Sequence, residues 1–117
     1  MNGWKPCPDK TALALLDPDG SFLERLQQDR EALKALLERL PEEGGDRKTA
    51  LTKLEKLAHR LAGAAGTFGH DAIGEAAMAL EDCVAEAAVV PTAPLIDMAI
   101  EKAGRLHGLL NKAVEET

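Results

Sequence analysis

The chain of 117 residues has no tyrosine, one tryptophan and two phenylalanines, and β-branched residues are few. Sheet cores are built mainly from those residue types, whereas the abundant leucine and alanine favour helix. Cysteine is equally sparse. Cys7 and Cys83 stand alone without CxxC spacing, which excludes a disulfide framework and a thiolate zinc site and fits a reducing compartment. No run approaches the roughly 18 apolar residues of a membrane span, and Met1 to Pro6 lacks the apolar core of a signal peptide. Cations are outnumbered, giving a formal charge of −6, which argues against nucleic acid as the ligand. No GxxxxGK[ST] loop offers a seat for ATP. What remains is a cytoplasmic, all-α protein of one domain.

Taken in order, residues 1–8 read as a flexible tail, because Gly3, Pro6 and Pro8 oppose regular structure. Residues 9–117 read as the domain. Asp9 can cap a short extra helix to about Leu16, and Asp17-Pro18-Asp19-Gly20 turns the chain. Ser21 and Glu24 have capping-box spacing, opening a helix with Phe22, Leu26, Leu33, Leu36, Leu37 and Leu40 on one face, which Pro41 ends. Asp46 can cap a second helix that runs to Phe68, with Gly69 as its stop. A third begins at His70-Asp71, carries Ile73, Ala77, Leu80, Val84 and Ala87, and closes at Val89-Val90. Thr92 and Pro94 open the fourth, whose buried face is Ile96, Ala99, Ile100, Ala103, Leu106, Leu110 and Ala113. Similar lengths and short turns predict an antiparallel up-down-up-down four-helix bundle with a short extra N-terminal helix.

The second helix is unlike the others. At about 100° per residue, Leu54, Leu57, Ala58, Leu61, Ala65 and Phe68 form its core stripe, and His59 points almost directly away. Around the histidine lie Thr52, Glu55, Lys56, Ala62, Gly63 and Gly66. Glycine costs about 1 kcal/mol relative to alanine in a helix interior, so two glycines beside one exposed imidazole mark a surface kept bare for an incoming protein. Imidazole has an unperturbed pKa of about 6.5 and is available as a neutral nucleophile near neutral pH. Glu55, one turn before His59, can accept from its Nδ1–H, although a solvated carboxylate is the simpler role. His70 reads as a polar residue at a helix end, and His107 as structural or exposed. His59 and His70 would be about 16 Å apart even on one continuous helix, and no His/Cys cluster has metal-ligand spacing.

The residues His59-Arg60-Leu61-Ala62-Gly63, the small-residue run Ala64 to Gly69 and the later pair Leu80-Glu81 resemble the pattern of histidine-containing phosphotransfer (HPt) domains. The specific motif spans about a dozen residues and the helix pattern spans the whole chain. One residue departs from the family: Ala62 stands where a lysine is usual. The resemblance implies a phosphoryl carrier, inactive alone and without its own ATP site. His59 would accept a phosphoryl group from the receiver aspartate of a hybrid histidine kinase and pass it to a response regulator. The receiver domain would supply the aspartate and Mg²⁺, so this chain would bind no cofactor or metal. With lysine missing at Ala62, Arg60 and Lys56, which share one flank of His59, are the candidates to stabilise the nearly two negative charges of a phosphoryl group. Thr52, Glu55, Ala62, Gly63 and Gly66 would form the docking face. One exposed carrier site favours a monomer. The alternative is a receiver-docking adaptor or inhibitor that has lost phosphorylation, with Ala62 as its mark. An intrinsic phosphohistidine hydrolase would need an activating base that the sequence does not offer, and the His-Glu/Asp motif with a nearby proline of dimeric sensor kinases is absent.

Overall fold

The computed structural model describes residues 20–41 and 45–115. Four helices account for almost all of them: α1 Ser21–Arg39, α2 Gly45–Thr67, α3 Asp71–Val89 and α4 Ala93–Glu115. There is no strand among the described residues. The expected tail over residues 1–8 and the short extra helix after Asp9 lie outside them.

Each helix begins and ends for a local reason. Before α1, Gly20 takes φ +73°, a left-handed conformation that costs glycine nothing, and its carbonyl accepts from the Glu24 amide at 3.0 Å. Glycine therefore holds the N-cap position. Ser21 is the first helical residue, not the cap, so the expected capping box is not the device that starts α1. At the other end, Arg47 reaches back from the first turn of α2. Its Nε donates to the Leu40 carbonyl at 2.7 Å and its Nη2 to the Pro41 carbonyl at 2.9 Å, covering acceptors that the end of a helix leaves open. Asp46 also lies in the first turn of α2 rather than before it.

The corner between α2 and α3 is a Schellman turn. Gly69 is left-handed at φ +80°, its amide donates to the Gly66 carbonyl at 3.3 Å, and the His70 amide donates to the Ala65 carbonyl at 2.8 Å. Glycine stops the helix as its position suggested. The turn also folds the residue after it back over the helix end, and this places His70 in the interior.

Every helix packs on its sequence neighbours, and α4 returns to pack on α1. The apolar rows meet in the middle: Leu26 and Leu33 of α1 with Leu40 just after it, Leu51, Leu54 and Leu61 of α2, Ile73, Leu80 and Val84 of α3, and Leu106 and Leu110 of α4 are all buried. Each such side chain contributes about 1.5–3 kcal/mol through burial. Leu37, Phe68 and Ile100 sit at the margin, half-buried. Cys83 is buried and free, with its Sγ 3.8 Å from the Leu95 carbonyl oxygen, and burial pushes its thiol pKa up. No helix among the described residues is long and apolar enough to cross a membrane.

Candidate functional site

The core stripe of α2 is buried from Leu54 to Ala65, so the opposite face of the helix must look outward. His59 does: its side chain is 77% exposed. Its Nδ1 lies 2.7 Å from Oε2 of Glu81, on α3. A carboxylate only accepts, so Nδ1 carries the hydrogen and donates it. In the neutral ring the other nitrogen, Nε2, then carries the free lone pair. Glu81 itself is 27% exposed, held against α2 by the close packing of the two helices. The sequence singled out Glu81 only as part of a motif and offered Glu55 for the bond to Nδ1. The partner is Glu81 because the short turn at Gly69 brings α3 alongside His59.

The flank toward α1 is cationic. Arg60 donates through Nη2 to Oδ1 of Asp29 at 2.7 Å, and Lys56 is exposed one turn earlier. Asp29 occupies a core position of α1, in register with Phe22, Leu26, Leu33 and Leu36, and its side chain is only 5% exposed. Burial raises its pKa and outweighs the lowering by the Arg60 guanidinium. Its Oδ2 has no hydrogen-bond partner. The Arg60 guanidinium is therefore tied to α1 by this carboxylate while remaining 53% exposed. Asp29 was legible as the one charged residue inside an apolar repeat, but the sequence reading passed over it.

The expected docking residues lie on the same outer side of α2. Thr52, Gly63 and Gly66 are exposed, and Glu55 and Ala62 are half-buried. Thr52 spends its hydroxyl on the Lys48 carbonyl at 3.1 Å. A Cβ added at Gly63 or Gly66 would meet nothing within 4 Å, so neither glycine is required by the packing of the chain itself. The glycine at the helix–helix approach is Gly74 of α3, whose added Cβ would lie 3.6 Å from the Ala62 carbonyl oxygen.

The other histidines are apart from this surface. His70 is not the polar end residue that its position suggested. It is 2% exposed, its ring centroid is 5.4 Å from that of Phe22, and neither ring nitrogen has a partner. Burial lowers its pKa, with Asp71 working the other way. His107 is half-buried, with Nδ1 3.4 Å from Nδ2 of Asn111. No group of three His, Cys, Asp or Glu side chains among the described residues could hold a metal ion.

An exposed histidine on one of the four described helices, oriented by a carboxylate from the next, is an arrangement suited to carrying a transferable group. The family model described as the Hpt domain matches residues 20–116, and the chain belongs to that family. Membership makes it a histidine phosphotransfer protein of two-component signalling, a carrier rather than a conventional enzyme, whose partners are receiver domains. No curated protein and no solved structure matches the chain.

Proposed function

We propose that this protein carries a phosphoryl group on Nε2 of His59 between receiver aspartates of a multistep phosphorelay, from a hybrid histidine kinase to a response regulator. The observation that carries this reading is the exposed His59 ring with its Nδ1 bound to Glu81. In the transfer, the Nε2 lone pair attacks the phosphorus of an aspartyl phosphate. A P–N bond forms, the P–O bond to the carboxylate breaks, and the aspartate leaves with that electron pair as its carboxylate. No proton has to move. Nδ1 keeps its hydrogen, the ring becomes cationic, and Glu81 faces the new charge. The same cationic ring is a good leaving group, so the step runs in either direction when a second aspartate takes the phosphoryl group.

The receiver brings the acceptor aspartate and Mg²⁺, and the chain needs no ATP site. That Mg²⁺ would supply charge neutralisation at the transferring phosphoryl group. Arg60 and Lys56 supply cations on the α1 flank in place of the lysine that Ala62 replaces. Thr52, Glu55, Ala62, Gly63 and Gly66 form the docking face. The bundle runs up-down-up-down, a reading supported for α1 and α2 by Phe22 on Phe68, Asp29 on Arg60 and Leu40 on Arg47, and for α2 and α3 by Ala62 facing Gly74 while His59 meets Glu81. It works as a cytoplasmic monomer.

The test is phosphoryl transfer from a panel of receiver domains phosphorylated with acetyl phosphate, with His59→Gln as control. Acid-labile, base-stable label on the wild type and none on His59→Gln is the expected result. Binding of a receiver without label on the wild type would favour the adaptor reading, to which Ala62 points.

A further inference from the structure

The charges on the two sides of His59 are segregated. α3 carries five acidic side chains and no basic one, while α2 carries five basic and two acidic. Between α1 and α2 lies a groove of about 400 Å³, lined by Arg39, Lys53, Lys56 and Arg60 over a floor that includes Leu36 and Leu57. No acidic residue lines it. Of its four cations, only Arg60 has an ion-pair partner among the described residues. Four cations gathered in one groove on a chain of net charge −6 repel one another, and three of them have no ion-pair partner among the described residues.

We propose that this groove seats an acidic surface of the receiver domain next to its phosphoryl aspartate, so that the partner leans toward α1 and away from α3. The inference rests on the carrier reading of His59 and adds the direction of docking. The chemistry of the partner supplies the complement. A pocket that holds Mg²⁺ does so with oxygen ligands, chiefly carboxylates, and its acceptor is itself a carboxylate, so the surroundings of the transferred group are negative. Set over His59, such a surface meets cations on the α1 side and the Glu81 carboxylate on the α3 side. Opposite potentials steer the encounter and fix the orientation, and like potentials oppose the alternative.

The experiment uses the full chain and whichever phosphorylated receiver of the panel labels His59. Transfer is measured for the wild type, for Arg39→Glu/Lys53→Glu, for the neutral pair Arg39→Gln/Lys53→Gln, and for Lys112→Glu on α4 as a control. The charge reversal should lower kcat/KM about tenfold at low salt, the neutral pair should fall between it and wild type, and both gaps should close as salt screens them. The kcat at saturating receiver and the rate of Lys112→Glu should not change. Circular dichroism shows whether each variant is folded, and the neutral pair keeps the test decisive if the reversal is not. If folded groove variants transfer within about twofold of wild type at low salt, the docking direction is wrong while the carrier reading stands. If Met78→Asp on α3 is the change that removes binding and the groove variants are silent, the partner sits on the other side. If no receiver labels His59, the carrier reading and this inference fall together.

Discussion

Two histidines of this protein, one within α2 and one at the turn after it, stand in opposite states. His59 stands 77% exposed with one nitrogen engaged by Glu81. His70 is 2% exposed with neither nitrogen engaged. The difference shows that environment, not residue type, sets what an imidazole does. A ring in water can gain charge during a reaction, and a carboxylate beside it makes that charge cheaper. A ring between Phe22 and the end of α2 can fill space but meets any charge with the full cost of burial. The exposed face around His59 is built for chemistry and the corner at His70 for architecture, and five substitutions should separate them.

The largest effect is expected at Glu81. Glu81→Ala removes the acceptor that fixes the Nδ1–H tautomer and faces the cationic ring, and transfer from a phosphorylated receiver should slow by at least about tenfold, with little change in thermal unfolding. If the rate stays at wild type, the carboxylate does not orient the imidazole.

Next is the pair on the α1 flank. Arg60→Ala leaves Asp29 buried without its partner and should destabilise the fold by about 1–3 kcal/mol, so its transfer rate has to be read beside its unfolding curve. Asp29→Asn removes the buried charge. The folded pKa of Asp29 is raised, so the folded state binds this proton more readily than the unfolded chain, and its stability contribution falls as pH rises through the carboxylate range. At neutral pH Asp29→Asn should therefore be no less stable than wild type. A clear loss would mean that the ion pair stabilises the fold after all.

At the buried end the effect is on stability alone. The folded pKa of His70 is lowered. The unfolded chain therefore takes up the proton first, and stability is fully present above the ordinary histidine value of about 6.5 and is lost as pH falls below it, by at most about 1.4 kcal/mol per pH unit. Phenylalanine suits a ring site without polar partners. His70→Phe should flatten that acid slope in denaturant titrations while transfer through His59 is unaffected. A slope unchanged in the variant would assign the acid sensitivity to another group.

The smallest and most discriminating change is Gly63→Ala. Nothing in the chain obstructs the added methyl, so the helix should gain about 0.5–1 kcal/mol. If the bare surface serves the partner, transfer should slow as stability rises. Faster or equal transfer would make Gly63 incidental.

Much of this was legible in the sequence because it depends on one helix at a time. The 3.6-residue period of α2 fixed both the buried row from Leu54 to Ala65 and the outward direction of His59, and Gly69 announced the stop. What escaped depends on register between helices. The acceptor for Nδ1 is 22 residues away and is chosen by the turn that sets α3 against α2. Asp29 and Arg60 are further apart still, 31 residues, and periodicity within α1 offers no view of α2. His70 illustrates a subtler failure: a position just after the helix-ending glycine reads as a polar helix end until the turn is recognised as one that folds its next residue inward. Gly20 displaced Ser21 from the cap position because a glycine directly before a helix can take the left-handed conformation that begins it.

The Schellman corner at Gly69 also bears on how the protein comes to have a site at all. His59 and Glu81 belong to consecutive helices, and closing so short a loop carries a small entropic penalty. The pair has low contact order, so it can form when the hairpin forms, with no need to wait for the far longer closure that brings α4 onto α1. The cationic flank, which requires α1, completes a separate loop. The orientation of the imidazole and the electrostatics around it are thus assembled by different folding events.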